Sequence, residues 1–272
     1  MAAPANNSSS TSRRVVTGLG LLAAILLAVF AAPAPLWLGL VVLLLAAAAW
    51  EWARLLKFGP VSSHLFVGFT ASLIAVMAMS QVQFLAEAYL ASLGFWLLLV
   101  PLWLARAWPL PGRILGWLLG WLLLLPAGLA LLYLREQGTG LLLGAIALSA
   151  VADSAAYFAG RAFGRHKLAP RISPGKTWEG AVGAGIAIGL FALVVGGYFS
   201  CDGRCLLGLI AASGLLFVLS IEGDLFESWC KRVAGVKDSG NILPGHGGVL
   251  DRVDSHLAVL PIAALLWLWL HG

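Results

Sequence analysis

The sequence predicts an all-α, polytopic membrane protein with about nine transmembrane helices and a cytoplasmic N-terminus. Three observations lead there. Of 272 residues, 61% are hydrophobic and only 11% charged, whereas a soluble domain carries roughly a quarter charged residues. The apolar residues fall into stretches close to the ~20 needed to cross a ~30 Å hydrocarbon layer. The positive charges then sort to one side of those stretches.

Taken in order, residues 1–14 form a polar cytoplasmic tail, and Asn6–Ser12 is too polar to pack. The first span, Val15–Ala31, follows Arg13 and Arg14, as the core of a signal peptide would. Its length and the further spans directly after it favour a retained anchor. Spans two to five are placed at Leu36–Trp52, Val61–Ser80, Leu90–Ala105 and Ile114–Leu134, completing an N-terminal region over 15–134. The C-terminal region, 135–272, holds spans six to nine at Gly140–Phe158, Ala181–Phe199, Leu206–Ile221 and Val253–Leu270. Many of the 12 Trp lie near proposed ends, as interfacial anchors do.

With this count, 15 of the 17 Lys and Arg fall on the cytoplasmic side, and only Arg135 and Arg204 lie outside. A missed or extra span would scramble that alternation. Two long polar loops, about 159–180 and 222–252, therefore face the cytoplasm, where nucleotides are. The net charge of +5 is explained by topology and an anionic membrane surface, and nucleic acid is not an expected partner. Cys201 and Cys205 sit in an outside loop where a small disulfide is permitted, and the three cysteines show no zinc spacing.

The 222–252 loop is the densest in chemistry, since half of the 12 acids lie between 222 and 254. If the eighth helix continues past the membrane, Asp224, Ser228, Lys231 and Arg232 form one stripe at i, i+4, i+7 and i+8. Gly223 is where that helix would break. Turn signals follow at Ser239-Gly240 and Pro244-Gly245, and Gly247-Gly248 would let backbone approach a bulky ligand. Asp251 and Asp254 open the ninth helix, where Asp254 has capping as its bland role. Carboxylates facing a phosphate repel it unless a cation lies between. Mg2+, held by one or two carboxylates plus substrate phosphates, is the expected cofactor, with Asp224 and Asp251 as its candidate ligands. A second, monovalent cation is a further candidate.

The 159–180 loop complements this one. Between Arg161 and Glu179 it carries five bases and one acid, which suits a polyphosphate. Asp153, Tyr157 and Arg161 share a helical face; an acid at the edge of a span is functional or paired, here with Arg161 as the plain alternative. A turn at Ser173-Pro174-Gly175 would present Lys176 to phosphate. Gly175-Lys176-Thr177 is not a P-loop, because position 170 is Pro and no strand precedes it. His246 is a candidate acid or base, while His64, His166, His256 and His271 form no cluster. A serine hydrolase is unsupported, with no G-x-S-x-G.

One continuous pattern runs Ser228-x-x-Lys231-Arg232-x4-Lys237-Asp238-x-Gly240-x2-Leu243-Pro244-Gly245-His246-Gly247-Gly248-x2-Asp251-Arg252-x-Asp254. It resembles the phosphatidate cytidylyltransferase (CDP-diacylglycerol synthase) family, as do the segments Asp153–Arg165 and Ile172–Gly180. The resemblance covers roughly Ala152 to the C-terminus. Cys230 departs from it, standing where an aliphatic residue is usual. It implies a helical membrane fold, a homodimer, a place in the bacterial inner membrane, and CTP and phosphatidate as substrates. It also implies a divalent-metal site at Asp224 and Asp251.

On that footing a phosphatidate oxygen would attack the α-phosphorus of CTP, and no protein nucleophile is required. Asp224, Asp251 and Lys237 are the catalytic candidates. Ser173, Lys176, Ser228, Lys231, Arg232, Asp238, His246, Gly247, Gly248 and Arg252 are candidates for holding substrate, supported by Asp153, Tyr157, Arg161 and Asp254. Two other readings remain: a cytidylyltransferase acting on another lipid phosphate, and a transporter. Transporters place ion sites near the midplane on broken helices, whereas these charges sit in loops at one face.

Overall fold

The computed structural model describes residues 18, 20, 23–80, 85–243 and 247–271. Eight of its helices are long and apolar enough to cross a membrane: α1 (Ala34–Leu55), α2 (Pro60–Met79), α3 (Leu85–Arg106), α4 (Arg113–Gln137), α5 (Thr139–Phe163), α6 (Trp178–Tyr198), α7 (Gly203–Ala234) and α8 (Leu250–His271). They correspond to expected spans two to nine. The expected first span lies partly outside the described residues, of which 23–31 are helical. Arg13, Arg14 and the polar tail lie outside them altogether.

The helix starts follow local chemistry. Proline occupies the first turn of α1 and α2, where a missing N–H costs nothing. Thr177 caps α6 by accepting the Gly180 N–H, and Asp202 caps α7 by accepting the Cys205 N–H. Within α3 the helix widens to a π turn at Phe95–Leu99 immediately before Pro101, whose ring cannot join a regular α ladder. On α8, every residue from Leu257 to Leu265 is buried, so this helix runs through the centre of the bundle. In contrast, α6 exposes Val182, Ile186, Leu190 and Val194, a stripe at every fourth residue that suits lipid.

α7 has 32 residues, roughly 48 Å at 1.5 Å per residue, well beyond a ~30 Å hydrocarbon layer. It stays helical through Gly223, and the expected break does not occur. A Cβ at Gly223 would sit 2.6 Å from the Asp254 carbonyl oxygen and 3.0 Å from Ser255 Cα. The glycine is therefore where the backbones of α7 and α8 come together.

Two expectations for the polar loops need correction. Residues 159–180 are not a loop: α5 runs to Phe163, and β1 (Lys167–Ala169) pairs antiparallel with β2 (Ser173–Thr177). This hairpin is the one two-stranded sheet among the described residues, so the all-α fold carries a small β appendage. The turn is also not at Ser173-Pro174-Gly175, which lies in β2. It lies at residues 170–172, closed by the Ile172 N–H on the Ala169 carbonyl at 3.1 Å. Pro170, with its φ already fixed, takes the second turn position.

Candidate functional site

Successive spans alternate in direction, so the end of α1, the β hairpin, the end of α7 and the start of α8 share one face of the bundle. Nearly all the singled-out residues collect there. β2 brings Lys176 Nζ to 2.6 Å from Asp224 Oδ2, and Ser228 donates its hydroxyl to Asp224 Oδ1 at 3.2 Å. Arg232 Nε donates to the Ile172 carbonyl at 3.3 Å, tying α7 to the hairpin turn. Of the expected stripe on α7, Asp224 and Arg232 meet the hairpin, whereas Lys231 turns toward α8.

One turn further along α7, Lys231 reaches between two carboxylates. Its ammonium is ion-paired with Glu227 and lies 2.6 Å from Asp251 Oδ1. All three side chains are enclosed: 12% of Lys231, 6% of Glu227 and 5% of Asp251 is exposed. The other Asp251 oxygen, Oδ2, accepts the Ser239 N–H at 2.9 Å and the Gly248 N–H at 2.7 Å. The Ser239 hydroxyl lies 3.0 Å from both Asp251 Oδ2 and Glu51 Oε2, so its single proton is shared between them. Asp251 is therefore a knot joining α7, the 235–249 connection and α8.

Asp153, Asp224 and Asp254 lie within electrostatic range of one another, with Lys176 and Arg252 near Asp153 and Lys231 near Asp254. Arg161 donates to the Tyr157 hydroxyl at 2.9 Å; these two form an exposed pair of their own, apart from Asp153. Asp254 does not cap α8, because that helix begins at Leu250, a turn earlier than expected. Its Oδ1 accepts the N–H of Ser255 at 2.7 Å. Ser173 stands in β2 opposite Ala169. Lys237 and Asp238 are exposed on the connection. Asp238 and Ser239 line a cavity with Arg54, Lys57 and Asn241. Gly247 holds a φ of +81°, and its carbonyl accepts the Leu243 N–H. His246, with Pro244 and Gly245, lies outside the described residues.

Sequence reading missed Glu51. This α1 residue is fully buried, and its carboxylate accepts the Val249 N–H at 3.0 Å and the Leu250 N–H at 2.8 Å. A signal was present: Glu51 is the only acid before Glu87 and sits in an apolar run, where a carboxylate is functional or paired. Glu227, the second carboxylate on Lys231, was also passed over. On the opposite face, Cys201 and Cys205 are joined in a disulfide, and Cys230 is buried and free.

As for a metal, no three His, Cys, Asp or Glu side chains converge as a ready-made cage among the described residues. Mg2+ does not need one, since it takes one or two carboxylates and completes its shell with water and phosphate. The Asp224 carboxylate is 27% exposed and holds the Lys176 ammonium against Oδ2, so a cation already sits where an ion would. The residues fit a hard divalent cation at Asp224. Asp251 reaches one only if Lys231 leaves its Oδ1.

A helical membrane bundle that gathers lysines and carboxylates at a single face, on a glycine-rich connection, is built to act on phosphates beside a lipid surface. The comparisons with known proteins agree. The chain belongs to the cytidylyltransferase family, whose profile matches residues 12–270. A phosphatidate cytidylyltransferase of Pseudomonas aeruginosa is 40% identical over 227 residues, which is 80% of this chain and 83% of that protein. Proteins of the same name from Haemophilus influenzae and Brucella suis are 48% and 52% identical over shorter stretches. These cover 46% and 43% of this chain, and 44% and 42% of theirs.

Proposed function

We infer that this chain transfers the CMP group of CTP to phosphatidate, giving CDP-diacylglycerol and pyrophosphate. The observation that carries the reading is the convergence of Lys176, Asp224, Lys231 and Asp251 at one membrane face, in a chain related over most of its length to a phosphatidate cytidylyltransferase. A phosphatidate oxygen forms the new bond to the α-phosphorus of CTP, and the bond to the pyrophosphate oxygen breaks. The nucleophile is already an anion, so the protein's task is to hold two anions together and aim them.

The residues divide that task. Lys176, at the hairpin edge, and Arg232 sit where a triphosphate would meet the bundle. Lys231 screens Asp251 from incoming phosphates. Lys237 is exposed on the connection and Arg252 on the first turn of α8, both on the side where a polyphosphate would arrive, and Gly247 turns the backbone beside Asp251 with a φ of +81°. Mg2+, held at Asp224 and joined by Asp251 once Lys231 leaves its Oδ1, would neutralise the phosphates and stabilise the leaving pyrophosphate. The acyl chains stay in the bilayer. The charge asymmetry supports a site and an N-terminus facing the cytoplasm of a bacterial inner membrane, and the apolar outer faces of α2 and α6 leave room for lipid or a second copy in a homodimer.

The test is incorporation of labelled CTP into solvent-extractable lipid by purified protein in phosphatidate vesicles. Mg2+-dependent label in CDP-diacylglycerol, lost on adding EDTA and regained with excess Mg2+, is the expected result. Label appearing only with another lipid phosphate would move the substrate. Solute uptake without nucleotide turnover would replace the enzyme with a transporter.

A further inference from the structure

Glu51 belongs to α1, in the half of the chain that the sequence motifs leave without chemistry. Its carboxylate is nevertheless built into the connection before α8. Oε1 accepts the Val249 N–H and Oε2 accepts the Leu250 N–H. These amides stand at the start of α8, Val249 just before it and Leu250 in its first turn, where N–H groups have no partner within the helix. The negative charge also meets the positive end of the helix dipole. The third contact, Ser239 Oγ, is the hydroxyl that Glu51 shares with Asp251. One carboxylate thus holds both ends of the segment 239–250.

The packing around Glu51 is shaped to admit it. A Cβ on Gly240 would sit 2.2 Å from Glu51 Oε1, and one on Gly248 would sit 2.5 Å from Glu51 Oε2. Two glycines of the connection therefore mark the space that the carboxylate fills. An apolar side chain in α1 would avoid the desolvation of a charge but would leave those amides and that hydroxyl unmet.

We propose that Glu51 is a positioning residue for the nucleotidyl transfer, clamping Ser239, Val249 and Leu250 so that Asp251 and the Gly247–Gly248 backbone are held toward the reacting phosphates. The inference rests on the transfer reaction assigned to this site. Glu51 touches neither substrate; it acts through Ser239, Gly248 and the start of α8. A purely structural cap would set how much protein folds, and leave the kinetics of the folded fraction alone.

The experiment compares full-length wild type, Glu51→Gln, Ser239→Ala, the double variant and Asp251→Asn in phosphatidate vesicles, with melting temperature measured beside kcat and KM for both substrates. Glu51→Gln keeps the shape but turns one acceptor into a donor facing a donor. Expected is a fall in kcat of about 10- to 100-fold, the cost of a small misplacement of an aimed group, with KM for phosphatidate unchanged. The double variant should lose no more than the worse single one, because both act through one hydroxyl. Gly240→Ala, which pushes a methyl into the same carboxylate, should reproduce the kcat loss. Should Glu51→Gln fail to accumulate, Ser239→Ala and Gly240→Ala carry the test, since both leave the Glu51 charge in place. A lower melting temperature with full kcat in these variants would overturn the proposal, as would additive losses. Normal turnover by Asp251→Asn would instead overturn the site assignment itself, a result separable from the others.

Discussion

Lys231→Met should be the most destabilising single change at this site. The substitution keeps most of the side-chain volume but deletes an ammonium lying between Glu227 and Asp251. Those carboxylates are 6% and 5% exposed, so little water can replace the lost charge. Removing one partner of a buried ion pair costs about 3–5 kcal/mol. At roughly 2–4 °C per kcal/mol for a chain of this size class, that is a drop of at least ~6 °C in melting temperature. Asp251 keeps its bonds from Ser239 and Gly248, whereas among the described side chains Glu227 is left only with groups that do not neutralise it. Adding Glu227→Gln to Lys231→Met should therefore restore part of the loss. Thermal unfolding in one detergent, followed by tryptophan fluorescence, reads both changes. A melting temperature for Lys231→Met within a degree or so of wild type would refute the reasoning, as it would mean that the two carboxylates are already neutral or hydrated. Activity should fall in both variants, because Asp251 loses the cation that fixes its Oδ1.

Other perturbations separate activity from stability. Asp224→Asn should abolish most Mg2+-dependent CTP incorporation while changing melting temperature little, since its pair with Lys176 is about a quarter exposed on each side and such pairs contribute only about 0–1 kcal/mol; near-wild-type turnover would contradict its role. Gly223→Ala should cost about 1–3 kcal/mol of stability and lower the melting temperature accordingly, because its methyl meets the Asp254 carbonyl at 2.6 Å; an unchanged melt would show that α7 and α8 separate freely. Asp202→Ala removes the cap on the Cys205 N–H and should cost about 1 kcal/mol with kcat and KM untouched, because it lies on the face opposite the site. A kinetic defect in that variant would mean that the two faces are coupled.

The spans were legible because lipid demands long apolar runs and a satisfied backbone. Eight of the expected segments recur as helices with only their ends moved. Most of those ends moved outward, α7 furthest, since a helix outlasts its apolar stretch when polar residues such as Ser228 and Lys231 find partners beyond the membrane. The hairpin was not legible. Ser173, Pro174 and Gly175 are poor strand formers, and β2 exists because Lys167 and Ala169 lie across from it. Lys176, Asp224, Lys231 and Asp251 were picked out by residue type and local spacing. Their pairings were not, because Lys176–Asp224 and Lys231–Asp251 each bridge separate elements. Glu51 was the extreme case: its partners lie 188 to 199 residues further along, and no local window contains both.

That separation bears on how the chain is made. α1 emerges from the ribosome well before α8, so Glu51 enters the bilayer long before the amides that receive it exist. At about 5–20 residues per second, the wait is on the order of 10–40 s. During that interval the carboxylate must stay hydrated at the surface or be shielded by the insertion machinery. Docking of α8 is then the event that seals it, and a chain stalled short of α8 leaves the Glu51 carboxylate without the amides that receive it.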